Sequence, residues 1–212
     1  MALHYDGEIQ IKKLQLGPYG TNCYIASCPE TKGGVIIDTP GEPEKILAET
    51  EDLWIRYILI THTHADHLEA FSQVRAALGA QVAVHPLETG QFPSSPDLAM
   101  NEGDVLRLST VKMAVIHTPG HTPGSVCLLS GKHLFSGDTI FPHGPGKTRT
   151  PDQFEQIVRS ITEKVFPLPD STIVYPGHGE DTTLGAEKAE FAGFAGRLRD
   201  PGLCGDVLWL SP

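Results

Sequence analysis

Four residues able to bind a metal ion fall within six positions of one another: His62, His64, Asp66 and His67, in Thr61-His62-Thr63-His64-Ala65-Asp66-His67. Neutral imidazole nitrogen and carboxylate oxygen suit zinc and other borderline transition metals. Three imidazoles and a carboxylate this close are electrostatically awkward unless positive charge sits among them. Structural zinc sites usually use four ligands dominated by cysteine, and this stretch holds no cysteine, so its composition points to a catalytic centre.

The elements around the cluster must hold it in place. Residues 54–60, Trp-Ile-Arg-Tyr-Ile-Leu-Ile, form an apolar run that reads as a buried strand. Beyond the cluster, Leu68, Phe71, Val74 and Leu78 recur on one face of a helical pattern closed by Gly79. The cluster is therefore expected on a strand-to-helix turn at the carboxyl end of a strand, where α/β sheets tend to place their sites. Three distant residues repeat the arrangement of a metal-type side chain just past an apolar run. They are His121 in His-Thr-Pro-Gly-His-Thr-Pro-Gly, Asp138 in Ser-Gly-Asp-Thr and His178 in Pro-Gly-His-Gly. A glycine precedes each, permitting close backbone approach.

The remaining sequence reads as strands and hairpins alternating with helices. Strands are expected over residues 9–16, 22–26, 34–38, 81–84, 172–175 and in two hairpins, 105–116 and 125–136, the second turning at Ser130-Gly131. A short helix follows Pro43, with Ile46 and Leu47 inward, and residues 86–101 read as a helix fragment and a loop. Thr150 is a good N-cap, with Pro151 at the first helical position and Gln153 placed to complete a capping box. Phe154, Ile157, Val158, Ile161 and Val165 give that helix its apolar face, and a last helix is expected over 182–199 before an apolar tail, 207–210. Two packed sheets flanked by helices fit this order.

The 212 residues suffice for one substantial core. A formal charge of −10 argues against a nucleic-acid partner and against anionic membranes. No basic, apolar leader pattern opens the chain, and no apolar run approaches the roughly 18 residues that span a bilayer. Cys23, Cys28, Cys127 and Cys204 show no metal-type pairing, so reduced, mostly buried thiols of a cytoplasmic protein are expected, with a Cys23–Cys28 disulfide as the alternative.

Taken together, Thr-His-Thr-His-Ala-Asp-His, His121, Asp138 and His178 in their loops resemble the metallo-β-lactamase superfamily, and within it the glyoxalase II-like hydrolases, over about residues 10–190. The resemblance implies an α/β (α+β) protein, a four-layer αββα sandwich forming one domain over residues 1–212, with two divalent metal ions at one edge. Zinc is the first choice of metal, with iron or manganese as alternatives. His62, His64 and His121 would bind one ion, Asp66, His67 and His178 the other, and Asp138 would bridge them. His117 precedes His121 closely but falls outside this pattern, as do His4, His85, His133 and His143. Asp38 either steadies the site through hydrogen bonds or simply caps its turn.

Two metals about 3.5–4 Å apart can share a water, bring its pKa near neutrality and polarise a carbonyl. The resemblance thus implies acyl hydrolysis, above all of thioesters of the S-2-hydroxyacylglutathione type, with Asp66 as both ligand and catalytic residue orienting the nucleophile. After Asp138, Gly144-Pro145-Gly146-Lys147 matches the glycines and lysine of the family's glutathione-contacting loop. Arg149 stands where that loop carries an aromatic residue. Lys147, Arg149 and, near the expected mouth, His143 are the substrate-binding candidates. Too few residues follow His178 for the helical domain of full-length glyoxalase II, so the chain resembles the short group. A mononuclear-iron persulfide dioxygenase shares this motif order and is the leading alternative, ahead of a lactonase or β-lactamase. A small thioester is the expected partner; oligomeric state is left open.

Overall fold

The computed structural model describes residues 3–196 and 200–210. Strands β1 (Tyr5–Asp6), β2 (Gln10–Leu16), β3 (Thr21–Ser27) and β4 (Gly33–Ile37) run antiparallel to one another. They are followed by helix α1 (Pro43–Ala48), β5 (Trp54–Leu59), helix α2 (Phe71–Leu78), β6 (Gln81–Val84) and β7 (Leu98–Ala99). β1 to β7 form one sheet in chain order, parallel from β4 onward because helices carry the chain back between strands. The second sheet is built from β8 (Val105–Leu108), β9 (Val111–His117), β10 (Val126–Ser130) and β11 (His133–Gly137). A small hairpin, β12 (Ile140–Phe141) and β13 (Gly144–Pro145), and helix α3 (Pro151–Ser160) come next. β14 (Ile173–Pro176), β15 (Thr182–Thr183) and helix α4 (Leu184–Ala195) follow, giving the order β15-β14-β11-β10-β9-β8.

Alternation along the strands explains the four layers. In β3, Tyr24 and Ala26 point between the sheets with Val35, Leu59, Val115, Leu128 and Phe135. Cys23 and Ile25 point the other way, onto Ile46 of α1 and Phe71 and Val74 of α2. On the outer face of the second sheet, Cys127, Leu134 and Val174 meet Phe154 and Ile157 of α3 and Leu184 and Phe194 of α4. A sheet buried on both faces needs apolar residues at both phases of its period-2 pattern, and β3 is buried at every position. The αββα architecture follows.

Several local readings are corrected. Leu68 lies outside α2, because residues 65–67 form a separate 3₁₀ turn before the helix begins at Phe71. The second hairpin pairs Ser130 with His133, so its turn is Gly131-Lys132, one residue later than the sequence suggests. Thr150 caps α3 by accepting from Gln153 N–H, but the Gln153 side chain accepts from Arg149 N–H rather than completing a reciprocal box. Residues 182–183 form a strand, α4 begins at Leu184, and the end of the helix expected over 182–199 lies outside the described residues. All four cysteines are free, three of them buried, so no Cys23–Cys28 disulfide forms.

Candidate metal centre

The carboxyl ends of strands from both sheets meet at one edge of the sandwich. β5 delivers residues 61–67, the loop after β9 delivers His121, β11 ends just before Asp138, and β14 just before His178. All seven residues singled out in the sequence come together there. His64 Nδ1 lies 3.0 Å from His62 Nε2 and 2.9 Å from His121 Nε2. Asp66 Oδ2 lies 3.6 Å from His67 Nε2 and 3.2 Å from His178 Nε2. Asp138 stands between the two trios: Oδ2 is 4.0 Å from His62 Nε2, 3.5 Å from His121 Nε2 and 3.7 Å from His178 Nε2, and Oδ1 is 3.5 Å from His67 Nε2.

Three features of this arrangement fit metal ions. Ligand atoms around a tetrahedral ion at about 2.0–2.1 Å stand roughly 3.3 Å apart, close to the spacings within the imidazole trio. A single ring nitrogen, His64 Nδ1, faces two others, an arrangement that hydrogen bonding satisfies poorly and a shared cation satisfies well. Finally, His67 Nε2 and Asp138 Oδ1 are buried without a hydrogen-bond partner, a costly state unless something else occupies the space they face.

Surrounding groups fix the rings. His67 Nδ1–H donates to Asp38 Oδ2 at 2.8 Å, and His121 Nδ1–H donates to the Lys147 carbonyl at 2.8 Å, which turns each Nε2 lone pair toward the cluster. Asp38 also accepts from Thr61 N–H at 2.8 Å and Thr61 Oγ1–H at 2.7 Å, so it ties the turn to the site rather than merely capping its own loop. Two residues that carry no signal in the sequence take part. Thr21 Oγ1–H donates to Asp66 Oδ2 at 2.9 Å, and buried Glu88 accepts from Thr63 N–H at 2.9 Å and Gly124 N–H at 2.8 Å, linking the two loops that carry His64 and His121. Space is as tight as the bonding. A Cβ on Gly177 would stand 2.1 Å from Asp138 Oδ1, so only glycine lets the His178 loop approach.

The electrostatics divide the cluster. Burial, reinforced by neighbouring imidazoles, pushes His62 well below the usual histidine range, and burial with His121 lowers His64, so both are held neutral. In His67, burial opposes protonation but is outweighed by Asp38 and Asp138, which raise it well above the usual range; Asp66 and Asp138 likewise raise His178 against burial. Burial also opposes the Asp66 carboxylate, but the His178 hydrogen bond and the His67 charge bring its pKa down to about 2. Asp138, held by the surrounding imidazoles against its own burial, lies far below the carboxylate range. The centre favours positive charge among its carboxylates.

The substrate-binding candidates are dispersed. Lys147 Nζ pairs with Asp206 Oδ2 at 2.9 Å on the surface. Arg149 makes no ion pair with another described residue and lines a polar groove of about 450 Å³ with Thr63, His64, Gln91, His121 and Gln153. The His143 ring turns away to Glu190 Oε1 at 2.8 Å. His117 stacks on His85 at 4.1 Å, apart from the cluster, and His133 bonds to Tyr175 at 2.9 Å between the sheets.

An αββα sandwich with this cluster at one edge defines a class, and comparison with known proteins agrees. The model of the metallo-β-lactamase superfamily matches residues 16–178, and the chain belongs to that superfamily. A Haemophilus influenzae protein, hydroxyacylglutathione hydrolase GloC, is 31% identical over 203 residues, covering 85% of this chain and 95% of its own. Among solved structures, BLEG-1 B3 metallo-β-lactamase superposes with a TM-score of 0.76 at 33% identity, covering 84% of this chain and 96% of its own. TTHA1623, in a di-iron-bound form, gives 0.72 at 32% identity, with the same coverages of 84% and 96%.

Proposed function

We propose that the chain is a metal-dependent hydrolase of small thioesters, of the S-2-hydroxyacylglutathione type, acting as one domain over residues 1–212. His62, His64 and His121 would hold one divalent ion, Asp66, His67 and His178 a second, and Asp138 both, with zinc as the first choice. The observation that carries this reading is the position of Asp138, within 4.0 Å of nitrogens from both trios. The likeness to hydroxyacylglutathione hydrolase GloC supports the substrate class, and the di-iron form of TTHA1623 keeps iron in view.

Ions held there would supply Lewis acidity toward the substrate carbonyl and lower the pKa of a water. The protein's own contribution starts at Asp66. Its carboxylate stays ionised and is fixed by Thr21 at Oδ2, the oxygen that faces His67 and His178, so its other oxygen would accept a hydrogen bond from the attacking water and hold it in line. A thiolate leaves without a strong general acid. Arg149, which lines the polar groove, would receive a substrate carboxylate. Four free thiols suit a reducing compartment such as the cytoplasm, and no described helix is long and apolar enough to cross a membrane.

Metal analysis combined with turnover of S-lactoylglutathione on the same preparation tests the reading. Two metals per chain with hydrolysis are expected. One iron per chain, with oxygen consumed on glutathione persulfide and no thioester or ester cleaved, would replace it with the dioxygenase.

A further inference from the structure

Beyond His178 the chain leaves the cluster through α4 and is back beside it at residues 205–209. The returning segment is anchored at two points. Gly205 N–H donates to the Thr148 carbonyl at 2.9 Å and Thr148 N–H to the Gly205 carbonyl at 3.2 Å. Trp209 N–H donates to the His143 carbonyl at 2.7 Å, and the Trp209 ring is fully buried with its centroid 5.1 Å from those of both Phe191 and Phe194. Between the anchors, Asp206, Val207 and Leu208 lie against the β12–β13 hairpin, so closely that a Cβ on Gly144 would stand 2.4 Å from the Val207 carbonyl oxygen. The half-open space between them, about 310 Å³, is lined by Phe141, Pro142, Pro145, Val207 and Leu208 and, on the cluster side, by Asp138 and His178.

We infer that this space is an acyl pocket, that the segment Asp206–Leu208 is its outer wall, and that it takes the uncharged alkyl chain of the substrate's acyl group. The inference rests on the hydrolase reading and adds the substrate's acyl class to it. Three observations converge. The pocket touches the cluster directly at Asp138 and His178, so a group bonded to the reacting carbonyl has room to enter it. The one lysine or arginine among its described lining residues, Lys147, is already paired with Asp206 at 2.9 Å, so an anionic chain running on past the cluster would find no free basic side chain to pair with. Leu208 is 51% exposed beside a buried tryptophan, an apolar surface that an acyl chain would cover. The polar carrier then falls on the other side of the cluster, in the groove lined by Thr63, Gln91, Arg149 and Gln153. The volume lies at the low end for ligand pockets, roughly ten waters' worth, and suits a short chain.

Binding tests this without turnover. The chain has two tryptophans, Trp54 on the surface and Trp209 behind Leu208. Trp54→Phe therefore leaves Trp209 as the single fluorescent reporter. Neutral S-alkyl thioethers of N-acetylcysteamine, methyl to hexyl, are titrated into the metal-loaded protein. Affinity should rise about threefold to fourfold per added methylene until the pocket is full, and Leu208→Ala and Phe141→Ala should each flatten that dependence. No dependence on length, equal weakening at every length in both variants, or tighter binding of S-carboxyalkyl analogues of matched length would overturn the pocket. If the length dependence holds while no thioester is hydrolysed, the pocket stands and the hydrolase reading fails. Hydrolysis of thioesters with no length dependence in binding would do the reverse.

Discussion

The two halves of the cluster are built from similar side chains and prepared in opposite ways. His62, His64 and His121 form a trio without a carboxylate, and His62 and His64 are held neutral by burial and by each other's neighbours. Asp66, His67 and His178 sit among carboxylates that keep both histidines inclined to hold protons. One half presents lone pairs; the other presents carboxylates whose charge something positive must balance. Asp138 belongs to neither and faces both. A fold that brings strand ends from two sheets to one edge can thus make two adjacent sites with different proton demands from one short list of residue types.

Removing the shared group should have the largest effect. Asp138→Ala is expected to lower metal content in both halves and reduce thioester turnover by more than about 100-fold, since even outer hydrogen-bonding partners of ligands cost roughly 10–100-fold. Metal analysis with kinetics on the purified variant checks it; two metals and full activity would end the bridging assignment.

Acidity should separate the halves next. A proton on His67 or His178 must leave before that nitrogen can offer its lone pair, and because both are raised, the proton is already present at a pH where His62 and His64 are neutral. Metal affinity of the carboxylate-rich half should therefore begin to fall at higher pH than that of the imidazole trio, by about tenfold per pH unit for each proton displaced. Titrating stoichiometry as pH is lowered should show two metals becoming one. Simultaneous loss of both would mean that the halves load as a unit.

Asp38→Asn probes the same asymmetry from behind. The Asp38 carboxylate accepts from His67 Nδ1 and from Thr61, but from no residue of the imidazole trio. The variant should weaken the second metal by roughly 10- to 100-fold and leave the first close to wild type. Equal weakening of both would show that Asp38 acts on the whole turn through Thr61.

Much of this was legible in the chain because each candidate ligand follows an apolar run. Spacing and residue type pick out His62, His64, Asp66, His67, His121, Asp138 and His178, and the geometry brings them together. The strand readings likewise hold for β2, β5 and β9 and the helical pattern for α3, although Trp54 and Arg56 leave the first half of β5 exposed on one face. What escaped depends on distant pairing. β15 and β7 are two-residue strands made by their neighbours rather than by their own composition. Thr21 and Glu88 act through partners 45 and 25 residues away, Asp66 and Thr63, and nothing local distinguishes them from ordinary loop residues. Lys147 stands where the family's loop has its substrate lysine, yet Asp206 lies beside it only because the chain returns there.

That return sets up the smallest expected effect. The two cations of one loop now face different sides: Lys147 toward the apolar pocket and already paired, Arg149 toward the polar groove without an ion pair to another described residue. Contact with a carboxylate remote from the reacting carbonyl should be alike in ground and transition states, so its loss should appear in KM and leave kcat nearly unchanged. The contact is exposed, which limits it to about 1 kcal/mol, or roughly fivefold. Arg149→Ala should therefore raise KM for a carboxylate-bearing thioester by about that factor and leave a neutral thioester unaffected. Lys147→Ala should do less, because the exposed pair with Asp206 already occupies its charge. A larger KM effect from Lys147→Ala than from Arg149→Ala, confined to the charged substrate, would put the substrate anion on the apolar side and reverse the orientation argued for the two pockets.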